Sequence, residues 1–217
     1  LKGADIGIYL VHSMQPSTRL SQGKFEDTDL LLADNFSLAA QKNNLKQIIY
    51  LGGILPKDKN EISKHLSSRY EVEKTLGSRN IPLTAIRAGI IIGPGGSSFK
   101  IITSLIKNLP IMACPKWTKS KKQPIDVFDV LNIIKKSLGN KLTFNKKIEI
   151  GGPEIMTYMD LLTKTSKLMQ KNRLIFSIPL FTVGLSKLWV GLFTGSSMNF
   201  ISPLVESLKH KMIPDNK

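Results

Sequence analysis

Short apolar runs alternate with longer amphipathic segments through much of this chain, and that alternation narrows its folds more than any other feature. Residues 6–11 read as a buried strand, 25–42 as a helix, 47–51 as a second strand closed by Gly52-Gly53, and 62–76 as a helix that ends near Gly77. Pro82 then introduces a long strand over 83–92 that stops at Gly93-Pro94-Gly95-Gly96. In the first helix Leu30, Ala33, Leu38 and Ala39 fall close to helical spacing, and Asp27 and Asp29 lie early, where carboxylates suit the helix dipole. This is the sequence form of repeated βαβ units, and it predicts an α/β fold: a parallel sheet flanked by helices.

Beyond residue 95 the pattern loosens. Residues 99–109 read as a helix ended by Pro110, 122–127 as a short strand followed by a helix that Asp129 would cap, 147–150 as a strand ending at Gly151-Gly152-Pro153, and 157–169 as a helix. Residues 175–193 are unusually apolar, interrupted by Pro179 and Lys187. A membrane span needs about 20 predominantly apolar residues, so core-packing or amphipathic helices are the reading here, with peripheral membrane contact through 175–193 as the alternative.

Composition sets further limits. A chain of 217 residues can fill one core with a small appendage, and 41% hydrophobic residues place it among globular proteins. The single cysteine, Cys114, excludes an internal disulfide framework and fits a reducing compartment. With only His12, His65 and His210 beside it, no spaced set of metal ligands exists, and no metal is expected. A net charge of +15 invites a nucleic-acid reading. Against it, only five of the 31 basic residues are arginine, the residue that bidentate phosphate and base recognition favours. The lysines are scattered, densest at Lys119, Lys121 and Lys122, and read as a solvated surface rather than a nucleic-acid site.

The helix at 62–76 carries Arg69-Tyr70-Glu71-Val72-Glu73-Lys74. Tyr70 and Lys74 stand one turn apart and so share a helix face. An ammonium held beside a phenol favours the phenolate and makes proton transfer accessible near neutral pH; the competing reading is two ordinary residues of a lysine-rich surface. In a parallel sheet, ligands bind outside the carboxyl ends of the strands, which here run into His12-Ser13-Met14, Gly52-Gly53 and Gly93-Pro94-Gly95-Gly96-Ser97-Ser98. The last of these is either a phosphate cradle or simply a sharp strand-to-helix turn. No G-x-G-x-x-G, Walker loop or nucleophile elbow occurs.

Tyr70-x-x-x-Lys74 between Ile48-Ile49-Tyr50-Leu51-Gly52-Gly53 and Thr84-Ala85-Ile86-Arg87-Ala88-Gly89-Ile90-Ile91-Ile92-Gly93-Pro94-Gly95 resembles the extended and atypical short-chain dehydrogenase/reductases, the sugar-nucleotide epimerase-like group. The likeness runs on through Gln123-Pro124-Ile125-Asp126-Val127-Phe128-Asp129-Val130 and Ile148-Glu149-Ile150-Gly151-Gly152-Pro153, and so covers most of the chain. Tyr9-Leu10-Val11-His12-Ser13-Met14 and Ser186-Lys187-Leu188-Trp189-Val190-Gly191-Leu192 look like signatures of a bacterial, NAD(P)-binding, NmrA-like branch related to the nucleotide-binding accessory subunit of respiratory complex I.

The resemblance implies a Rossmann-like sheet whose glycine-rich dinucleotide turn lies upstream of Leu1, with residues 1–95 as the later part of an NAD(P)-binding domain. Residues 96–217 would then form a substrate-side, partly helical region interleaved with the last sheet strand. On that view the chain lacks its first strands, leaving an aggregation-prone sheet edge and weak cofactor binding. Leu10, Val11, His12, Ser13, Gly52, Gly53, Lys74, Ala88, Gly89 and Ile90 would line NAD or NADP, with Tyr70 as acid/base and Lys74 on the nicotinamide ribose. Ser97, Ser98 and Trp117 would face an unknown small-molecule substrate. The expected compartment is the bacterial cytoplasm. One departure stands out: Gly52-Gly53 replaces the Ser or Thr that orients substrate oxygen in active members, and loss of one such donor costs roughly 10²–10³ in rate. The expectation is therefore an oxidoreductase or epimerase, with a non-catalytic dinucleotide sensor or assembly protein as the alternative.

Overall fold

The uninterrupted apolar run Ile48-Ile49-Tyr50-Leu51 suits a strand covered on both faces. In the computed structural model, which describes residues 1–12, 25–58, 62–178 and 205–215 (excepting the side chains of Phe25 and Ser97), that run lies inside a four-stranded sheet. Its strands are β1 (Ile6–Tyr9), β2 (Gln47–Gly53), β3 (Leu83–Ala88) and β8 (Lys146–Ile150), all parallel, in the order β1-β2-β3-β8. Helices α1 (Phe25–Lys42) and α2 (Lys64–Leu76) cover one face, burying Ala33, Ala40, Val72 and Leu76 against Tyr9, Ile48, Tyr50 and Ala85. On the opposite face α4 (Val127–Ser137) packs Val130 and Ile134 against Ile49, Ile86 and Ile150. The α/β architecture with a parallel sheet flanked by helices is therefore as expected.

The long strand expected over 83–92 is broken. β3 ends at Ala88, and Ile91–Ile92 forms a separate strand, β4, paired in parallel with β7 (Ile125–Asp126). Between them Ile90 turns its side chain into a second core. That core joins α3 (Ser97–Asn108), β5 (Ile111–Pro115) and α5 (Tyr158–Leu168) with Val205 and Leu208. The first glycine-rich turn past the main sheet is thus at Gly89, whereas Gly93 to Gly96 join β4 to α3.

Three more expectations need correction. The single strand at 122–127 is two strands in different ladders, β6 (Lys121–Lys122), antiparallel to β9 (Met156–Thr157), and β7, because Pro124 has no N–H to continue one. The cap of α4 is Asp126 rather than Asp129: its carboxylate accepts from the Phe128 amide at 2.7 Å. Asp126→Ala should accordingly lower stability by about 1 kcal/mol in urea unfolding. Lys122 belongs to no solvated cluster; it is fully buried, and its ammonium donates to the carbonyl of His210.

The apolar stretch at 175–193 starts not as a helix but in strand β10 (Leu174–Ile178), which pairs in parallel with β5. Residues 179–193 and the signature at 186–192 lie outside the described residues. Among the described residues no helix is long and apolar enough to cross a membrane. The last described segment runs beside β6, exchanging Met212 N–H to Lys121 O and Gln123 N–H to Met212 O, both at 3.1 Å. It thereby lies over Gly89 and Gly151 at the strand ends.

Candidate functional site

Helix α2 is fixed at both ends of its functional stretch. Ser63 caps it, accepting from the Leu66 amide at 3.3 Å, and shares a 3.0 Å hydroxyl hydrogen bond with Ser207. Farther along, Glu73 is buried and accepts two hydrogen bonds from Arg87 of β3, at 2.7 and 2.9 Å. Tyr70, between these anchors, is half-buried and Lys74, directly after Glu73, is exposed, with the Lys74 ammonium 4.4 Å from the centre of the Tyr70 ring. The cation rests on the face of the ring, a contact worth about 0.5–1 kcal/mol at an exposed site.

The strand ends are less open than their glycines suggest. Gly52 and Gly53 lie within β2, opposite Arg87 and Ala88. A Cβ on Gly52 would come 2.8 Å from the Tyr50 ring, and one on Gly53 would come 2.8 Å from the Leu66 methyl. Gly89 meets Met212 in the same way, at 3.2 Å. Each glycine makes room for a side chain of this protein, so these turns are not an empty cradle. Ala88 and Ile90 are buried, in the sheet core and the second core respectively. By contrast, Leu10 and Val11 at the end of β1 are about half exposed (54% and 46%) and His12 is partly buried. Ser13 lies outside the described residues.

Of the expected substrate residues, Ser98 is half-buried in the first turn of α3, and the side chain of Ser97 is not among those described. Trp117 stacks obliquely on Tyr158, ring centres 5.4 Å apart, at the border of the second core. A cleft of about 450 Å³ opens elsewhere, between the loop after β2, the end of β8 and the last described segment; Lys57, Glu149, His210 and Pro214 are among its walls. None of the described residues expected to hold cofactor or substrate or to act in catalysis lines it. Nor do the described residues contain a group of three or more His, Cys, Asp or Glu suited to a metal ion.

A polar cluster of which sequence reasoning named only His12 as a site residue sits where β1 meets α1 and α2. Tyr9 is 2% exposed and its hydroxyl has no hydrogen-bond partner among the described residues; burial pushes it up to about 12, helped by Asp29 and Tyr50 and opposed by Arg69. His12 is held below the ordinary imidazole value by burial and by Arg69, and its Nδ1 is buried with no hydrogen-bond partner among the described residues. Burial, with Arg69 and His12 adding, takes His65 down to about 3. The Tyr50 hydroxyl donates to the Arg69 carbonyl at 3.1 Å. A signal was present: His65 and Arg69 are four residues apart, the spacing that drew attention to Tyr70 and Lys74.

An imidazole whose folded value lies below its unfolded value of 6.5 binds its proton more readily in the unfolded chain. Stability is therefore lost as pH falls from about 6.5 towards 3. Between pH 7 and pH 4.5 His65→Gln should lose about 2 kcal/mol less than the wild type, measured by urea unfolding at both pH values.

No family model matches the chain, and no curated protein matches it. Solved structures do. A nucleoside-diphosphate-sugar epimerase from Staphylococcus aureus superposes with a TM-score of 0.70 at 14% identity, over 95% of this chain and 67% of that one. The dTDP-4-dehydrorhamnose reductase of Bacillus anthracis, in complex with NADP, gives 0.63 at 15% identity over 81% and 66%. The enzyme WbmG of Bordetella bronchiseptica, in complex with NAD and UDP, gives 0.63 at 13% identity over 92% and 71%. The chain has the fold of these epimerases and reductases. It spans about two thirds of the length of the first two.

Proposed function

We propose that this chain is part of an NAD(P)-binding protein of the short-chain dehydrogenase/reductase type, acting as an oxidoreductase or epimerase with Tyr70 as acid/base and Lys74 as ligand of the cofactor ribose. The observation that carries the reading is the Tyr70/Lys74 pair on α2, the helix that crosses between β2 and β3 of a parallel sheet whose structural relatives include NAD and NADP complexes. The cofactor fits along the open end of β1, where Leu10 and Val11 offer apolar surface beside the partly buried His12. At Gly52, Gly53 and Gly89 an added Cβ would meet Tyr50, Leu66 or Met212, so only glycine leaves these side chains undisturbed there.

A nicotinamide, when bound, supplies two-electron redox chemistry. The part of Tyr70 is to give a proton to the substrate oxygen or take one from it. Lys74 leaves the ring face to hold the ribose, and Glu73, bound to Arg87, keeps that turn of α2 in place. The second reading, a dinucleotide-binding sensor or assembly protein without turnover, is favoured by Gly52: the Tyr50 ring occupies the space that a Ser or Thr side chain would need.

The test is NADH and NADPH binding by the protein expressed from its complete reading frame, followed by turnover on a panel of carbonyl compounds. Turnover should fall at least about 100-fold in Tyr70→Phe while binding is kept. Binding with no Tyr70-dependent turnover favours the sensor, and absence of binding removes both readings.

A further inference from the structure

Residues 205–215 are held unevenly along their length. The first part is rooted: Val205 and Leu208 are buried in the second core, the Ser207 hydroxyl bonds to that of Ser63 at 3.0 Å, and the Ser120 hydroxyl donates to the Leu208 carbonyl at 3.0 Å. A turn follows whose two backbone hydrogen bonds, from Lys209 to Glu206 and from His210 to Ser207, are long at 3.3 and 3.4 Å. Beyond it Met212 lies over Gly89 and Pro214 over Gly151, so the chain crosses the carboxyl ends of β3 and β8. Its tip is tied by the Asp215 amide, which donates to Glu149 at 2.9 Å, and by a 3.2 Å ion pair between Asp215 and Lys57. Both side chains of that pair are more than half exposed, and exposed pairs contribute little. The cleft of about 450 Å³ opens beside the same residues, with His210, Ile213 and Pro214 in its walls.

Lys122 stands under this crossing. Its ammonium has three donors and, among the described residues, one hydrogen-bond acceptor, the carbonyl of His210. With Met212 laid beside it the side chain is fully buried. Lifting residues 210–215 removes the carbonyl and returns the ammonium to water.

We propose that residues 210–215 form a strap that opens from the carboxyl ends of β3 and β8 without unfolding of the rest, and that a charge on Lys122 favours the open strap. Those strand ends are where ligands bind in a parallel sheet, so the strap controls access to them. The proposal stands whether or not Tyr70 is catalytic.

The direction follows from burial, which alone takes Lys122 from 10.5 down to about 7 when the strap is closed. Between those values the open form binds more protons, so closure strengthens as pH rises; below about 7 both forms are charged and nothing further changes. The ionisable groups on the elements packed against Lys122 are Lys121 on β6 and Glu206, Lys209, His210 and Lys211 on the last described segment, while β9 brings only Met156 and Thr157. None of these charges contributes to the shift.

Hydrogen exchange of the full chain tests both parts. The amides of Met212, bonded to Lys121, and of Gln123, bonded to Met212, report the strap; that of Ile48, bonded to Pro82 in the main sheet, reports the body. After correction for intrinsic exchange, Met212 and Gln123 should be protected at least about tenfold less than Ile48, and their protection should rise on the order of 100-fold from pH 6 to pH 9. In Lys122→Met and in Lys122→Gln, each shown by thermal melts to be folded, that rise should stay below about threefold. The strap is refuted if Met212 and Gln123 exchange as slowly as Ile48, and the part of Lys122 is refuted if the rise persists in both variants or is absent from the wild type.

Discussion

Glu73→Ala or Arg87→Met lowers the unfolding free energy by about 3–5 kcal/mol, because either change strands a buried charge. The two side chains are only 5% and 11% exposed, and their two hydrogen bonds join α2 to β3. Removing Glu73 leaves Arg87 with Glu149 at 3.6 Å; removing Arg87 leaves Glu73 with Lys147 at 3.9 Å. Neither remaining contact replaces a close, doubly hydrogen-bonded pair. In a chain of this length the loss corresponds to a fall of roughly 10 °C in Tm. The double variant Glu73→Leu/Arg87→Met should recover much of it, since an apolar pair of similar volume avoids the desolvation cost. Urea unfolding of the two single variants and the double variant gives the coupling; a sum of independent small losses would contradict the account.

Lys122→Met has the opposite sign. Lys122 is fully buried with a carbonyl as its hydrogen-bond partner, and burial alone takes it down to about 7. In the unfolded chain the amine holds its proton up to about 10.5. Between those values the unfolded chain binds more protons, so native stability rises with pH across the window; below about 7 both states are charged and the cost of burial is complete. Methionine removes that cost. The variant should be more stable than wild type at pH 6, and its advantage should shrink by about 3 kcal/mol on going to pH 9.5. A pH-independent difference, or a variant less stable at pH 6, would show that Lys122 is not buried as an unpaired ammonium.

The parallel sheet was legible because its signal is local. Ile48-Ile49-Tyr50-Leu51 can hardly be other than a covered strand, and the 25–42 helix agrees with the structure in both boundaries. What was hidden depends on partners distant in sequence. Nothing near Ile90 announces that the chain leaves one core for another, and Ile111–Pro115 becomes a strand through pairing with Leu174–Ile178 some sixty residues later. Lys122 looked solvated because it reads as one of three clustered lysines; Lys119 and Lys121 are exposed, and strand alternation turns only the last of the three inward. At the site, the i,i+4 rule found Tyr70 and Lys74 and would have found His65 and Arg69. No spacing rule, however, shows that a Tyr50 ring occupies the space beside Gly52, since that depends on how one side chain leans along its own strand.

The contact of the last described segment with β6 bears on the order in which the molecule assembles. Lys122 meets the His210 carbonyl across 88 residues, and the same segment rests on Gly89 and Gly151. Closing so long a loop is entropically costly before its contacts form, and contacts of this kind slow folding. During synthesis β1 to β3 with α1 and α2 can collapse early around Tyr50, but the ends of β3 and β8 receive their cover only when the chain beyond residue 205 emerges. Until then Lys122 keeps its water, and the halves of the molecule are joined without being finished.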